Sequence, residues 1–225
     1  MELLFPGRCL LCGDELTFNS REGEPLCLAC RAGLIPLDSP RRCAVCSLPL
    51  SSEKRLCTRC RRREYEFQCN LSLFEYLGDI RELLYQYKFR NRLRLSRILA
   101  GFYAQALRAG FPGAVLIPAP ANPQAVRRRG WDPVERLCRV LRRDHGFPVR
   151  RALERRAGPA QKLLGYEERR LNLRGTIGLR RGTPGELVLI DDVFTTGATA
   201  SECARLLLLG GASRVRVLTL AIDVP

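Results

Sequence analysis

The sequence predicts an α/β protein: a parallel sheet flanked by helices, with a small cysteine-rich domain in front of it. Three observations predict this. Two wholly apolar runs, Ala114–Ile117 and Leu187–Ile190, read as buried strands, and each is followed by a segment with helical spacing. A last apolar run, Val215–Ala221, follows the second of those helices at strand-helix-strand distance. Eight of the eleven cysteines form four Cys-x-x-Cys pairs within the first 60 residues. A charged link over residues 61–70 divides the chain into a domain at 1–65 and a domain at 70–225.

Residues 1–65 are poor in apolar side chains and rich in turns, too short to bury a large core. Bound metal would supply the missing folding energy. The pairs Cys9/Cys12, Cys27/Cys30, Cys43/Cys46 and Cys57/Cys60 therefore read as metal ligands rather than a disulfide framework. Four thiolates per ion favour zinc, and eight ligands make two sites. Sequential ligation is the simplest assignment; a cross-braced one is also open. Closed tetrathiolate sites lack the free position of a catalytic zinc, so the module reads as structural or adhesive. The remaining Cys69, Cys138 and Cys203 read as small buried apolar side chains.

Leu71–Tyr76 alternates like a strand, and Gly78-Asp79 turns it. Ile80, Leu83, Leu84 and Tyr87 then recur at helical spacing, with Lys88 at the end. Ser96 is placed to cap a helix reaching about Ala109. After the Ala114–Ile117 strand come three adjacent cations, Arg127, Arg128 and Arg129, and then Gly130, a group that could meet a pyrophosphate. Pro133 opens a helix with Val134, Leu137, Cys138, Val140 and Leu141 on one side. Trp131 sits at that helix start, suited to packing or to stacking on a base. Pro148-Val149 reads as a short strand, and the polar residues 146–185 as a basic arm that could close over a bound anion.

The most informative stretch runs from Leu187 to Thr199. Four apolar residues lead into Asp191 and Asp192; then Thr195, Thr196, Gly197, Ala198 and Thr199 form a turn at a helix start. Such a turn offers backbone N–H groups, hydroxyls and a helix dipole to one phosphate. The acid pair could hold sugar hydroxyls directly or act through magnesium. Together they suit a phosphorylated sugar. No Gly-Lys-Ser/Thr element makes this a nucleotide P-loop, and three spaced glycines are absent, so it is not a dinucleotide fingerprint. After it, Cys203, Leu206, Leu207 and Leu209 continue a helix that Gly210-Gly211 stops.

The formal net charge is +15, and residues 125–181 hold 17 basic against 6 acidic residues. That local excess suits a polyanion, either pyrophosphate or a nucleic-acid backbone. Only three of the 38 basic residues are lysines, a bias that could equally give a solubilising surface. His145 is the only histidine and falls at a helix end, and no serine-centred elbow is present, so hydrolase triads have no support. No apolar run reaches bilayer length, and the start Met1–Cys9 lacks a signal-like apolar core; the expected compartment is the cytoplasm.

The order and spacing of Leu187–Thr199 resemble the signature of type I phosphoribosyltransferases, which bind phosphoribosyl pyrophosphate. The whole chain, with four Cys-x-x-Cys pairs in front of that domain, resembles the ComF family of competence-associated proteins. Arg129 and Gly130 match the start of the family's Arg-Gly-Phe-Asn-Gln element, while Trp131, Asp132 and Pro133 depart from it. Arg155, Gln161, Arg169 and Asn172 match a second family pattern, in which Ala157 replaces a threonine; Lys88 matches a lysine usual after the first helix.

The resemblance implies a type I phosphoribosyltransferase-like sheet and roles for particular residues. Asp191 and Asp192 would engage ribose hydroxyls. The turn from Val193 through Thr195, Thr196, Gly197, Ala198 and Thr199 would cradle the 5′-phosphate. Lys88, Arg128 and Arg129 would neutralise pyrophosphate beside magnesium, with Arg155 and Lys162 in the lid region. It also implies action in natural transformation and DNA uptake, beside a helicase-like partner. Three outcomes follow: an active transferase, a sensor that binds phosphoribosyl pyrophosphate without turnover, or an adaptor that holds single-stranded DNA.

Overall fold

The computed structural model describes residues 7–16, 24–37, 41–52, 55–156 and 175–224. Among them is a four-stranded, wholly parallel sheet made of β1 (Asn70–Glu75), β2 (Val115–Pro118), β5 (Gly185–Phe194) and β6 (Ala212–Ile222). Its order is β1-β6-β5-β2. Helices α3 (Gly78–Phe89), α4 (Leu95–Gly110), α5 (Pro123–Arg129), α6 (Pro133–His145) and α7 (Ala198–Leu209) complete this part of the fold.

Period-two alternation along the central strand makes three layers. Val188 and Ile190 face a core built from α3, α4 and α6, including Leu84, Tyr87, Leu99, Tyr103, Leu137 and Leu141. Leu187 and Leu189 face the other core, with Cys203, Ala204 and Leu207 of α7. Both faces being covered, the strand reads as a continuous apolar run, which is why it was visible in the sequence.

The strands and helices fall where the periodicity places them, with instructive differences. β5 does not stop at Ile190 but carries the acid pair within the strand, with Asp191 in register with Thr219. Ser96 does not cap α4; its hydroxyl donates to the Leu93 carbonyl at 2.7 Å, inside the first turn. Asn122 caps α5 and Asp132 caps α6, each accepting from the backbone N–H two residues on, at 2.9 Å. Residues 61–70 are no mere link. Phe67 is buried, and Tyr65 and Phe67 stack with ring centroids 4.9 Å apart beside Phe194. Cys138 and Cys203 are buried, as expected, and Cys69 is partly buried.

The cysteine-rich part is a repeat of one small unit. Arg8 bridges Glu15, and Arg42 bridges Pro49, each across a Cys-x-x-Cys turn. Each is followed by a short helix, α1 (Leu28–Gly33) or α2 (Thr58–Arg61), capped at its N-terminus by a cysteine sulfur, Cys27 or Cys57. The module packs against β1. Leu37 N–H donates to the Leu73 carbonyl at 2.7 Å, Asn70 N–H to the Val45 carbonyl at 2.7 Å, and Arg42 to the Ser72 carbonyl at 3.0 Å.

Candidate functional site

Two chain connections set where a site can form. β5 runs through α7 to β6 on one side. β2 runs through α6 to Val149, which bridges Leu116 in parallel on the other side. The connections leave neighbouring strands in opposite directions, so a crevice opens at the carboxyl ends of β2 and β5, the position where open α/β sheets bind ligands. A cavity of about 190 Å³ lies there. Lys88, Arg129, Asp132, Arg155, Asp191, Asp192 and Thr199 line it.

The charged groups are fixed by the fold. Lys88, in the last turn of α3, meets Asp192 at 2.7 Å. Asp191 accepts at 2.9 Å from the Asp192 N–H through its own carboxylate, and its carbonyl accepts from the buried Tyr103 hydroxyl at 2.5 Å. Burial, reinforced by the Asp192 charge, pushes the Asp191 carboxyl up to about 7. Burial also raises Asp132, against the pull of its helix-capping hydrogen bonds. Arg155 stands on β3 (Leu153–Arg155), which pairs with β4 (Ile177–Leu179), and burial lowers its value. Three carboxylates and three cations thus share one cleft. Such a cleft suits a ligand with a polyol at one end and a polyanion at the other. Carboxylate oxygens are also the hard donors that magnesium prefers, so the residues present fit that ion.

The turn after β5 stands beside the cleft. Gly197 is left-handed, with φ +81°, and precedes α7. A Cβ there would stand 2.6 Å from Tyr65 and 2.7 Å from Phe194. Gly197→Ala is therefore expected to destabilise the protein by about 2–3 kcal/mol, combining backbone strain with overpacking; urea unfolding measures it. The N–H groups of Thr196 and Gly197 find no protein acceptor among the described residues. They and the α7 N-terminus are available to an anion.

Of the residues singled out from sequence, Lys88, Arg129, Arg155, Asp191, Asp192 and Thr199 come together in the crevice. Thr195, Thr196, Gly197 and Ala198 form the adjoining turn, and Val193 lies partly buried in β5. Arg128 is exposed on α5 and does not line the cleft, whereas Arg129 lies over the Phe89 and Trp131 rings. Trp131 packs edge-on against Tyr87 and donates to Asn91 at 2.8 Å, so its ring is used internally. Lys162, Gln161, Arg169 and Asn172, and with them the lid reading, lie outside the described residues. Asp132 and Tyr103 were not picked out from sequence as site residues. Asp132 was noted only as a departure from the family element, and nothing in the spacing ties Tyr103 to Asp191.

The cysteines sort sequentially. Cys9, Cys12, Cys27 and Cys30 form one cluster, Cys43, Cys46, Cys57 and Cys60 the other, with sulfurs of each within 4.8 Å of one another. Zn–S bonds of about 2.3 Å at tetrahedral angles require sulfurs about 3.8 Å apart. The separations of 3.7 Å for Cys12–Cys27 and 3.6 Å for Cys46–Cys57 meet that requirement. Backbone N–H groups of Cys30, Cys57 and Cys60 point at cluster sulfurs at 3.4 Å. In the second cluster, hydrogen bonds from Cys60, then the Leu48 backbone, then Arg59 hold Cys46 down to about 5 against burial, and the Cys46 contact and burial drive Cys60 up. Only a cation lets all four ionise together. Both clusters suit structural zinc; the first reaches solvent at Cys12, and the second is wholly buried.

Comparison with known proteins supports the zinc module and finds relatives along nearly the whole chain. Residues 1–63 match the family described as Double zinc ribbon domain. Over 224 residues the chain is 30% identical to DNA utilization protein YhgH of Salmonella typhi, covering 96% of each chain. The chain belongs to the YhgH family. YhgH of Escherichia coli strain K12 is 27% identical over the same span. The likeness extends to competence proteins: ComFC of Streptococcus pneumoniae, 26% identical with 95% and 99% of the two chains covered, and competence protein F of Haemophilus influenzae, 27% identical with 96% and 97% covered. The chain thus carries a double ribbon in front of a parallel α/β sheet. Among the described residues no helix is long and apolar enough to cross a membrane.

Proposed function

We propose that the chain binds phosphoribosyl pyrophosphate with magnesium in the crevice between β2 and β5, as a phosphoribosyltransferase-like protein acting in competence and DNA uptake in the cytoplasm. The observation that carries this reading is the convergence of the acid pair, Lys88, Arg129 and Arg155 beside a turn with unpartnered N–H groups. Asp191 and Asp192 accept from the ribose hydroxyls. Thr195–Thr199 receive the 5′-phosphate. Lys88 and Arg129 meet the pyrophosphate, and magnesium, when bound, neutralises part of its charge. In transfer, the bond from the anomeric carbon to pyrophosphate breaks as the acceptor attacks. Positive charge then grows on the sugar and negative charge on the leaving group, and oppositely charged residues already in place stabilise both.

Calorimetry of the zinc-loaded chain with phosphoribosyl pyrophosphate and magnesium tests the reading; absence of binding rejects it. The acceptor role of Asp191 also fixes a pH dependence. Its carboxyl is pushed up to about 7, and the ionised form is the stronger acceptor for the ribose hydroxyls. Affinity is therefore expected to fall by up to about tenfold per pH unit below 7 and to level off above it. A flat profile from pH 5.5 to 8 would remove Asp191 from the ribose contact.

One further surface favours a second reading, a single-stranded DNA adaptor beside a helicase-like partner. Arg139, Arg142, Arg150, Arg151 and Arg181 border a groove of about 260 Å³ on the outer side of α6. Among the described residues only Arg151 of these is paired with a carboxylate, Glu135 at 2.8 Å. A phosphodiester backbone along that groove predicts binding that weakens steeply with salt; a salt-independent signal would exclude it.

A further inference from the structure

The second cysteine cluster and the phosphate turn are far apart in sequence and joined in space. Arg59, in α2, lies between two groups. One guanidinium nitrogen donates to the Thr195 carbonyl at 2.8 Å, and the other points at Cys46 Sγ at 3.8 Å. Its guanidinium also sits 5.9 Å from the Phe194 ring centroid. Tyr65 donates its hydroxyl to the next carbonyl, that of Thr196, at 3.1 Å. One residue on, the Glu66 N–H donates to Ser201 Oγ in α7 at 3.1 Å. The cluster itself is anchored from behind: Asn70 Nδ2 donates to the Cys46 carbonyl at 3.0 Å and to Ser72 Oγ at 2.8 Å.

The peptide group supplies the link to function. A trans peptide is planar, with its C=O and N–H on opposite sides. Pinning the Thr195 carbonyl to Arg59 points the Thr196 N–H away from the ribbon. Pinning the Thr196 carbonyl to Tyr65 does the same for the Gly197 N–H. Neither of these two N–H groups has an acceptor among the described residues. A peptide flip at either position would turn a carbonyl oxygen toward an anion and repel it.

We propose that Arg59 and Tyr65 are positioning residues through which the second zinc cluster holds the anion turn in its binding form, so that the cluster belongs to the anion site as well as to the fold. A thiolate at Cys46, kept ionised by its metal, is a stronger acceptor for Arg59 than a thiol, and Arg59 so held keeps the Thr195 peptide in place. The first cluster has no such contact among the described residues. The inference rests on the reading of Thr195–Thr199 as the phosphate cradle.

The test uses the full zinc-loaded chain and three variants, Arg59→Met, Arg59→Lys and Tyr65→Phe. Zinc content, melting temperature, phosphoribosyl pyrophosphate affinity and amide hydrogen exchange at Thr196 and Gly197 are measured for each. Arg59→Met is expected to keep two zinc ions per chain, weaken affinity tenfold or more, and speed exchange at the two amides at least tenfold. Arg59→Lys restores part of both, because one ammonium can reach the Thr195 carbonyl without also holding Cys46. Tyr65→Phe, which leaves all four cysteines of the cluster in place, speeds exchange at Gly197 severalfold with both zinc ions retained. Unchanged exchange in Tyr65→Phe overturns the proposal even if Arg59→Met loses zinc, and so does faster exchange with unaltered affinity. Should the wild-type chain not bind phosphoribosyl pyrophosphate, the functional reading fails by itself, and the exchange rates still decide whether the cluster orders the turn.

Discussion

Replacing Asp191 and Asp192 together with asparagine is expected to weaken phosphoribosyl pyrophosphate binding at least a hundredfold and leave the fold intact. Each carboxylate that accepts from a hydroxyl contributes about 1.5–3 kcal/mol, so losing two removes about 3–6 kcal/mol, more than two decades of affinity. The single variants should not be equal. Asp192 is paired with Lys88, and neutralising it leaves that ammonium uncompensated in the cleft, where it attracts pyrophosphate more strongly. The gain offsets part of the loss, so Asp192→Asn alone should cost less than Asp191→Asn alone.

Stability should move the other way. The folded Asp191 carboxyl titrates near 7, above its unfolded value, so the native state holds the proton more tightly. Its contribution to stability is greatest below about pH 4 and is lost as pH rises through 7. Asp191→Asn cannot ionise, and at pH 8 it should be at least as stable as the wild type. Calorimetric titration and pH-dependent urea unfolding together check both signs; a variant that binds normally would displace the acid pair from the sugar site.

The second large effect concerns the metal clusters. Cys46→Ser is expected to lose one zinc ion and lower the melting temperature by at least about 10 °C. Cys12→Ser should lose the other zinc ion with a drop less than half as large. The clusters have the same ligands, so the difference comes from their surroundings. Cys46 is fully buried, its carbonyl is held by Asn70, and its neighbours in the second core include Leu189, Val217 and Phe194. Cys12 is exposed, and only Cys9 of the first cluster is buried. Structural zinc in small finger peptides is worth about 10–16 kcal/mol, as much as the whole stability of an ordinary domain, so loss from the shared core cannot stay local. Zinc analysis with differential scanning calorimetry distinguishes the two; equal drops would mean that the ribbon and the sheet unfold independently.

What could be read in the sequence was what depends on short-range pattern. Buried parallel strands show as apolar runs because both faces are covered, and this exposed Leu187–Ile190 and Ala114–Ile117 at once. Cys-x-x-Cys spacing is set by local turn geometry, so all eight ligands were legible. Their sequential grouping was the simplest assignment, but a cross-braced one stayed open because pairing between distant turns leaves no local trace; the structure groups them sequentially. The acid pair and threonine turn were visible as a contiguous string. Arg59 was hidden inside a Cys-x-x-Cys pair and Tyr65 inside the charged link, each more than 130 residues from the carbonyl it holds. The β3–β4 pair was missed for a different reason. Three-residue strands with mixed side chains carry too little periodicity to stand out from the basic arm around them.

The hydrogen bonds that Leu37 and Arg42 donate to β1, and that Val45 accepts from it, have a consequence for how the protein can be handled. They occupy the outer backbone groups of the last strand in the sheet, the side that no other strand covers. A fragment beginning at Asn70 would present that row bare, in parallel with apolar faces already paired for growth. Such a fragment should self-associate by adding strands edge to edge, and should scatter light at concentrations where the full chain stays monodisperse. The ribbon is thus the sheet's lateral cap, and removing it to simplify the protein would leave the sheet open-ended.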